Sequence, residues 1–160
     1  LTILCARARE WVALLLQEPQ TVIHGEFYPL NILLRGNRVY PIDWESAAGA
    51  AGEIDLACLT EAWSVRLARE CQREYRQARW PEGSPQGFRR RLAAARLYLA
   101  FRWLADEPEV RFARRRTAGV SQPAGISPLP ADAGRSPGGD RWYFDQLHSA
   151  GRFLGLITSS

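Results

Sequence analysis

Apolar residues along the first seventeen positions recur at helical spacing. Leu1, Leu4, Ala8, Trp11 and Leu15 lie three or four apart, and Pro19 ends the run, so one helix is predicted over 1–17. The pattern then shortens. Val22-Ile23 and Ile32-Leu33-Leu34 are apolar runs of strand length on either side of His24-Gly25-Glu26-Phe27-Tyr28-Pro29-Leu30-Asn31. Polar residues at the ends of short buried strands are where a folded chain presents chemistry. Gly36-Asn37 suits a two-residue turn with positive φ, and Val39-Tyr40-Pro41-Ile42 reads as the return strand. Pro41 has no N–H and belongs at an edge. The resulting hairpin joins Asn31 to Asp43 and brings its two polar ends close together.

Beyond the hairpin, Ala47–Gly52 is rich in Ala and Gly and reads as a flexible loop. A helix is predicted from Ile54 or Asp55 to Ala78, with Leu59, Trp63, Leu67, Cys71 and Tyr75 as its apolar stripe. Pro81-Glu82-Gly83 breaks it. Ser84 as N-cap and Pro85 behind it predict a further helix through Phe88, Leu92, Ala95, Leu99 and Trp103. From Thr117 to Asp140 periodicity disappears, Gly, Pro and Ser fill half of the 24 positions, and the segment is expected to be disordered. Asp140 caps a last helix, Arg141 to about Leu156, packing through Trp142, Leu147, Phe153 and Leu154. The fold class is α+β, mostly α-helical, one domain over 1–160 with a small β-hairpin.

Composition sharpens this picture in three places. At 160 residues and 46% hydrophobic, the chain can bury one real core, and no apolar run reaches the roughly 18 residues that cross a bilayer. Cys5, Cys58 and Cys71 form no C-x-x-C pair and read as buried free thiols of a reducing compartment, so a cytoplasmic location is expected. All 21 basic residues are Arg and none is Lys, while the absence of Met implies a start inside a longer protein. The net charge of +4 divides into −3 over residues 1–60, +7 over 61–116 and zero over 117–160.

The polar loop has a specific chemical use. Asn31 and Asp43 offer the hard oxygen ligands that suit Mg²⁺, an ion that takes few protein ligands plus phosphate oxygens. Glu26 can accept the proton of a hydroxyl nucleophile aligned with a bound phosphate. Phosphoryl transfer needs mainly positioning and charge neutralisation, and its kinase version sets a catalytic carboxylate five residues before a metal-binding Asn. Glu26 and Asn31 reproduce that spacing.

His24-Gly25-Glu26-Phe27-Tyr28-Pro29-Leu30-Asn31-Ile32-Leu33, then Ile42-Asp43-Trp44-Glu45, then Gly52 and Asp55-Leu56-Ala57, resembles the aminoglycoside phosphotransferase and choline kinase-like family, a branch of the protein-kinase-like fold. The resemblance implies the C-terminal lobe of such a kinase, using ATP and Mg²⁺. It makes Glu26 and His24 the catalytic pair, with Glu26 as base and His24 bracing the loop, and Asn31 and Asp43 the metal and cofactor ligands. It also implies that Asp55 opens a buried helix and hydrogen-bonds the catalytic-loop backbone. Glu45 reads equally as a surface acid or as a support behind the ligands. Glu26 stands where the family has Asp, and the extra methylene displaces the carboxylate by roughly an ångström, a shift able to cost about 10²-fold in rate.

Such kinases close ATP beneath a second lobe that carries a Gly-rich loop and a Lys. Neither occurs here, so the N-terminal lobe is expected to be absent and these residues to be inactive alone. The +7 of residues 61–116 is the wrong sign for a polycationic acceptor, so the expected substrate is a neutral or anionic small-molecule hydroxyl. Two rival readings are a non-catalytic kinase-like remnant and an Arg-rich nucleic-acid module built on Arg89-Arg90-Arg91 and Arg114-Arg115-Arg116.

Overall fold

In the computed structural model, residues 1–17, 20–105, 127–128 and 139–157 are described. The order is α1 (Thr2–Ala6), α2 (Ala8–Leu16), β1 (Thr21–Ile23), β2 (Ile32–Arg35), β3 (Arg38–Pro41), β4 (Ala48–Ala50), α3 (Glu53–Leu59), α4 (Val65–Arg79), α5 (Phe88–Ala105), β5 (Ser127–Pro128) and α6 (Gly139–Phe153). Mostly helical with small antiparallel sheets, it agrees with the α+β reading. No helix among the described residues is long and apolar enough to cross a membrane.

Helix α5 is the axis of the core. Leu92, Ala94, Ala95, Leu97, Leu99 and Ala100 are buried around nearly its whole circumference, with α2, α3 and α6 packed against it. Small side chains at Ala94 and Ala95 let neighbouring backbones approach, so the helix needs no polar face over this stretch. Trp11 of α2 stacks on Phe101 with ring centroids 5.7 Å apart, and Leu147, Ala150 and Leu154 close the other side.

Several elements differ from the sequence expectation. The first helix is two, interrupted at Arg7. The interruption leaves the Leu4 carbonyl to the Trp11 indole N–H at 3.2 Å, and the Arg7 guanidinium donates to the Gly155 carbonyl at 2.8 Å. Within the Ala47–Gly52 stretch, expected as a loop, Ala48–Ala50 pairs antiparallel with β1 in the register Thr21↔Ala50 and Ile23↔Ala48. Small side chains permit this strand but give no sequence signal for it. The helix expected to run unbroken to Ala78 stops after Leu59. The Thr60 hydroxyl donates to the Leu56 carbonyl at 2.7 Å, and Ser64 restarts the helix as N-cap by accepting from the Leu67 N–H. The predicted stripe is thereby divided, and Leu67 is left exposed.

Ser84 does not cap α5, which begins at Phe88. Its hydroxyl accepts instead from the Arg76 guanidinium at 2.6 and 2.9 Å. Of the three thiols, Cys58 is buried, Cys71 is half-buried and Cys5 is exposed, which corrects the expectation that all are buried. The last helix starts at Gly139, and Phe153 is exposed rather than packed in the core. The expectation of disorder over 117–140 lies outside the described residues, except at Ser127–Pro128, which pair with Leu34 and Leu33 of β2, and at the start of α6.

The hairpin follows the sequence closely. Ile32 pairs with Pro41 and Arg35 with Arg38, Gly36 takes the positive φ of +56°, and β3 is an edge strand that tolerates Pro41.

Candidate active site

The loop between β1 and β2 is built from its backbone outward. Gly25 has φ +82°, and a Cβ there would collide with the Ser46 carbonyl, so only glycine lets the two segments meet. Asp55, in the first turn of α3, accepts from the His24 N–H at 2.6 Å and the Gly25 N–H at 2.9 Å. Burial raises its pKa, opposed by those same two backbone bonds, which favour the charged form. The fold thus commits a half-buried carboxylate to fixing two peptide groups next to Glu26.

His24 is 1% exposed and acts as a brace. Its Nε2 lies 2.7 Å from the Ile42 carbonyl, which can only accept, so the ring proton is on Nε2 and Nδ1 accepts from the Glu26 N–H at 3.3 Å. The ring also packs against Trp44 at 4.7 Å between centroids. It therefore ties this loop to the far end of β3, and both ring nitrogens are occupied in doing so.

Asn31 follows a short 3-10 turn, Pro29–Asn31, and is buried. Its Nδ2 donates to the Glu26 carbonyl at 3.1 Å. With the amide nitrogen so committed, Oδ1 is the atom available to a cation. Asp43 has φ +64°, a left-handed conformation that Asp tolerates better than most residues, though at a cost. Its carboxylate is exposed, and carboxylate oxygens of Glu26, Asp43 and Glu45 lie within 4.8 Å of one another. The structure thus gathers Glu26, Asp43 and Glu45, and ties Asn31 to the backbone of Glu26.

Arg102 is the residue that sequence reasoning missed. From α5, seventy-six residues away, its Nη2 donates to Glu26 Oε1 at 2.6 Å and its Nη1 to the Gly25 carbonyl at 2.6 Å. Nη2 also reaches Ser46 Oγ at 3.2 Å. Glu26 Oε2 accepts more weakly from the Tyr28 hydroxyl at 3.3 Å. The available signal was a lone Arg within the apolar run Leu97-Tyr98-Leu99-Ala100-Phe101-Arg102-Trp103-Leu104. A cation in such a setting is seldom left without a partner.

A model of the phosphotransferase enzyme family matches residues 2–113, a span that starts at the first helix, includes the loop between β1 and β2 and takes in all of α5. The chain belongs to that family. The match bears out the resemblance to aminoglycoside phosphotransferase and choline kinase-like proteins. No curated protein and no solved structure was found to match the chain. Family membership makes this a phosphotransferase-type chain and leaves the acceptor open.

Proposed function

We propose that the chain is the catalytic, C-terminal lobe of a kinase-like phosphotransferase that passes the γ-phosphate of ATP to a small-molecule hydroxyl. The observation that carries this reading is the grouping of Glu26, Asp43 and Glu45 beside Asn31, in a loop whose backbone Asp55 holds. The donor set, an amide oxygen and carboxylates, fits a hard divalent cation, with Asn31 and Asp43 as its protein ligands and Glu45 within reach. Mg²⁺ bound there would neutralise phosphate charge.

The rest of the work falls to the chain's own residues. Glu26 accepts the acceptor hydroxyl proton on Oε2, the oxygen not bonded to Arg102, as the Tyr28 hydroxyl gives way. Arg102 fixes Oε1 and the Gly25 carbonyl together, so the longer Glu side chain is held in one rotamer. The fixed rotamer offsets the displacement that the extra methylene introduces. ATP would need further contacts from an N-terminal lobe outside these residues, so these residues alone are expected not to turn over. The Arg excess after the loop favours a neutral or anionic acceptor. Ion pairs Arg66–Glu70 and Arg73–Glu74 on α4 weigh against a nucleic-acid face there.

A second reading, a non-catalytic remnant, draws on the burial of the Glu26 side chain, 2% exposed and bonded through both oxygens. One experiment separates the two. Mn²⁺ titrated into the chain should broaden the NMR signals of Asn31 and Asp43 selectively, and Asp43→Ala should abolish the effect. Uniform or absent broadening defeats the phosphotransferase reading.

A further inference from the structure

A cavity of about 400 Å³ lies between the C-terminal end of α3, α4, α5 and α6. No catalytic-loop residue lines it. On α3, Ala57 faces the cavity two residues beyond Asp55, about 200° round the helix from the side that holds the loop. Arg96 and Leu99 present α5 to the cavity, whereas Arg102 presents it to Glu26. The cavity is therefore a second concavity, backed onto the same two helices.

Its walls are chemically unusual. Leu92, Leu99 and Ala150 make an apolar floor. Of the polar residues that line it, Trp63, Glu61 and Arg96 offer groups with no protein partner among the described residues. The Trp63 indole nitrogen is buried without a hydrogen-bond acceptor. Glu61 and Arg96 are part-buried and line the cavity, and neither forms a hydrogen bond or ion pair among the described residues. Burial pushes the Glu61 carboxyl up to about 7 and lowers the Arg96 guanidinium, the signature of groups taken from water without compensation. A buried donor without an acceptor costs about 1–3 kcal/mol, so the Trp63 N–H, set beside two part-buried ionic side chains in one cavity, calls for an occupant. Arg69 and Arg89 add positive charge at the exposed rim.

We infer that this cavity is a binding site for a small organic oxyanion, a carboxylate or phosphate monoester on a compact apolar body. The oxyanion lies on Arg96 and the Trp63 N–H, its hydroxyl or acid oxygen faces Glu61, and its body covers Leu92 and Leu99. Three Arg against one acid set the sign of the ligand charge. The volume is within the range of small-molecule sites. The inference stands on walls that the catalytic loop does not share, so it holds or fails independently of the phosphotransferase reading.

The test is a titration of the chain with phenyl phosphate, hexanoate, inorganic phosphate and hexylammonium, followed by calorimetry and by the NMR signal of the Trp63 indole. One or both organic anions should bind and shift that signal, and which one does distinguishes a phosphate from a carboxylate ligand. Inorganic phosphate should bind more weakly, for want of an apolar body. Arg96→Gln should weaken the better anion about tenfold or more, the loss expected for a charged hydrogen bond. Trp63→Phe, which keeps the aromatic bulk, should weaken it by a few-fold and is informative even where Arg96→Gln does not fold. The inference is overturned if neither organic anion binds at millimolar concentration, if hexylammonium binds as well, or if both folded variants bind like the parent chain.

Discussion

Among the described residues, two Glu–Arg pairs have a buried Glu, and they do different work. Glu53, at the start of α3, meets Arg91 of α5 at 3.1 Å, with side chains 2% and 3% exposed. Arg91 lies over the Trp80 ring at 5.7 Å, in an aromatic corner completed by Tyr75 and Phe88. The corner is closed enough that burial pushes the Tyr75 hydroxyl up to about 12. Glu26 meets Arg102 at a shorter 2.6 Å, yet its Arg is 22% exposed and its carboxylate shares a cluster with Asp43 and Glu45. The first pair is walled in and joins two helices. The second has an open side, where other acids gather. The same ionic chemistry serves the scaffold in one place and the proposed chemistry in the other, and the surroundings decide which.

The sharpest way to break this comparison is to remove one Arg from the closed pair. Arg91→Ala strands Glu53 in the core, and urea denaturation should show a loss of about 3–5 kcal/mol. Glu26→Gln should lower stability less than that, while reducing phosphoryl transfer by the complete protein about 10²–10⁴-fold, measured as ATP-dependent product formation. A larger stability loss for Glu26→Gln than for Arg91→Ala, or unchanged transfer, would reverse the two assignments.

Glu61 sharpens the contrast from the side of the cavity. Its carboxyl is lifted from an ordinary 4.5 to about 7 by burial, so the folded state binds its proton more readily than the unfolded chain does. Its contribution to stability is therefore fully present below the ordinary value and is lost as pH rises to about 7. The loss amounts to at most about 3 kcal/mol. Glu61→Gln should flatten the dependence of stability on pH across that window, and a slope of the opposite sign in the parent chain would disprove the part-buried, uncompensated carboxyl. The smallest expected effect is Ser64→Ala, which removes the cap of α4 and should cost about 1 kcal/mol in thermal unfolding, leaving metal binding at the loop untouched.

The loop between β1 and β2 was legible because its signals are local. Short contiguous apolar runs mark β1 and β2, Gly36-Asn37 marks the turn, and a carboxylate, an Asn and an Asp at set spacings suggest the proposed chemistry. The Asp55 bonds to the His24 and Gly25 N–H groups sit where the motif implied. Strand β4 escaped because Ala48-Gly49-Ala50 carries no pattern of its own and is strand only by virtue of β1 beside it. The break between α3 and α4 escaped because an apolar residue at every fourth position continues through Thr60-Glu61-Ala62 regardless of whether the helix does. Ser84 misled because a side chain from another element, Arg76, took the hydroxyl that the local rule assigned to a cap.

By itself, the sequence determined the family, the hairpin, and the residue types of the proposed site. Each of these is written within a few neighbouring positions, where propensity and spacing act directly. Only the tertiary structure decided which Arg of twenty-one meets Glu26, which acids cluster around it, and that Glu61, Trp63 and Arg96 face one cavity. Those are meetings between residues tens of positions apart. Burial and a lowered dielectric turn them from ordinary polar side chains into groups that must find a partner.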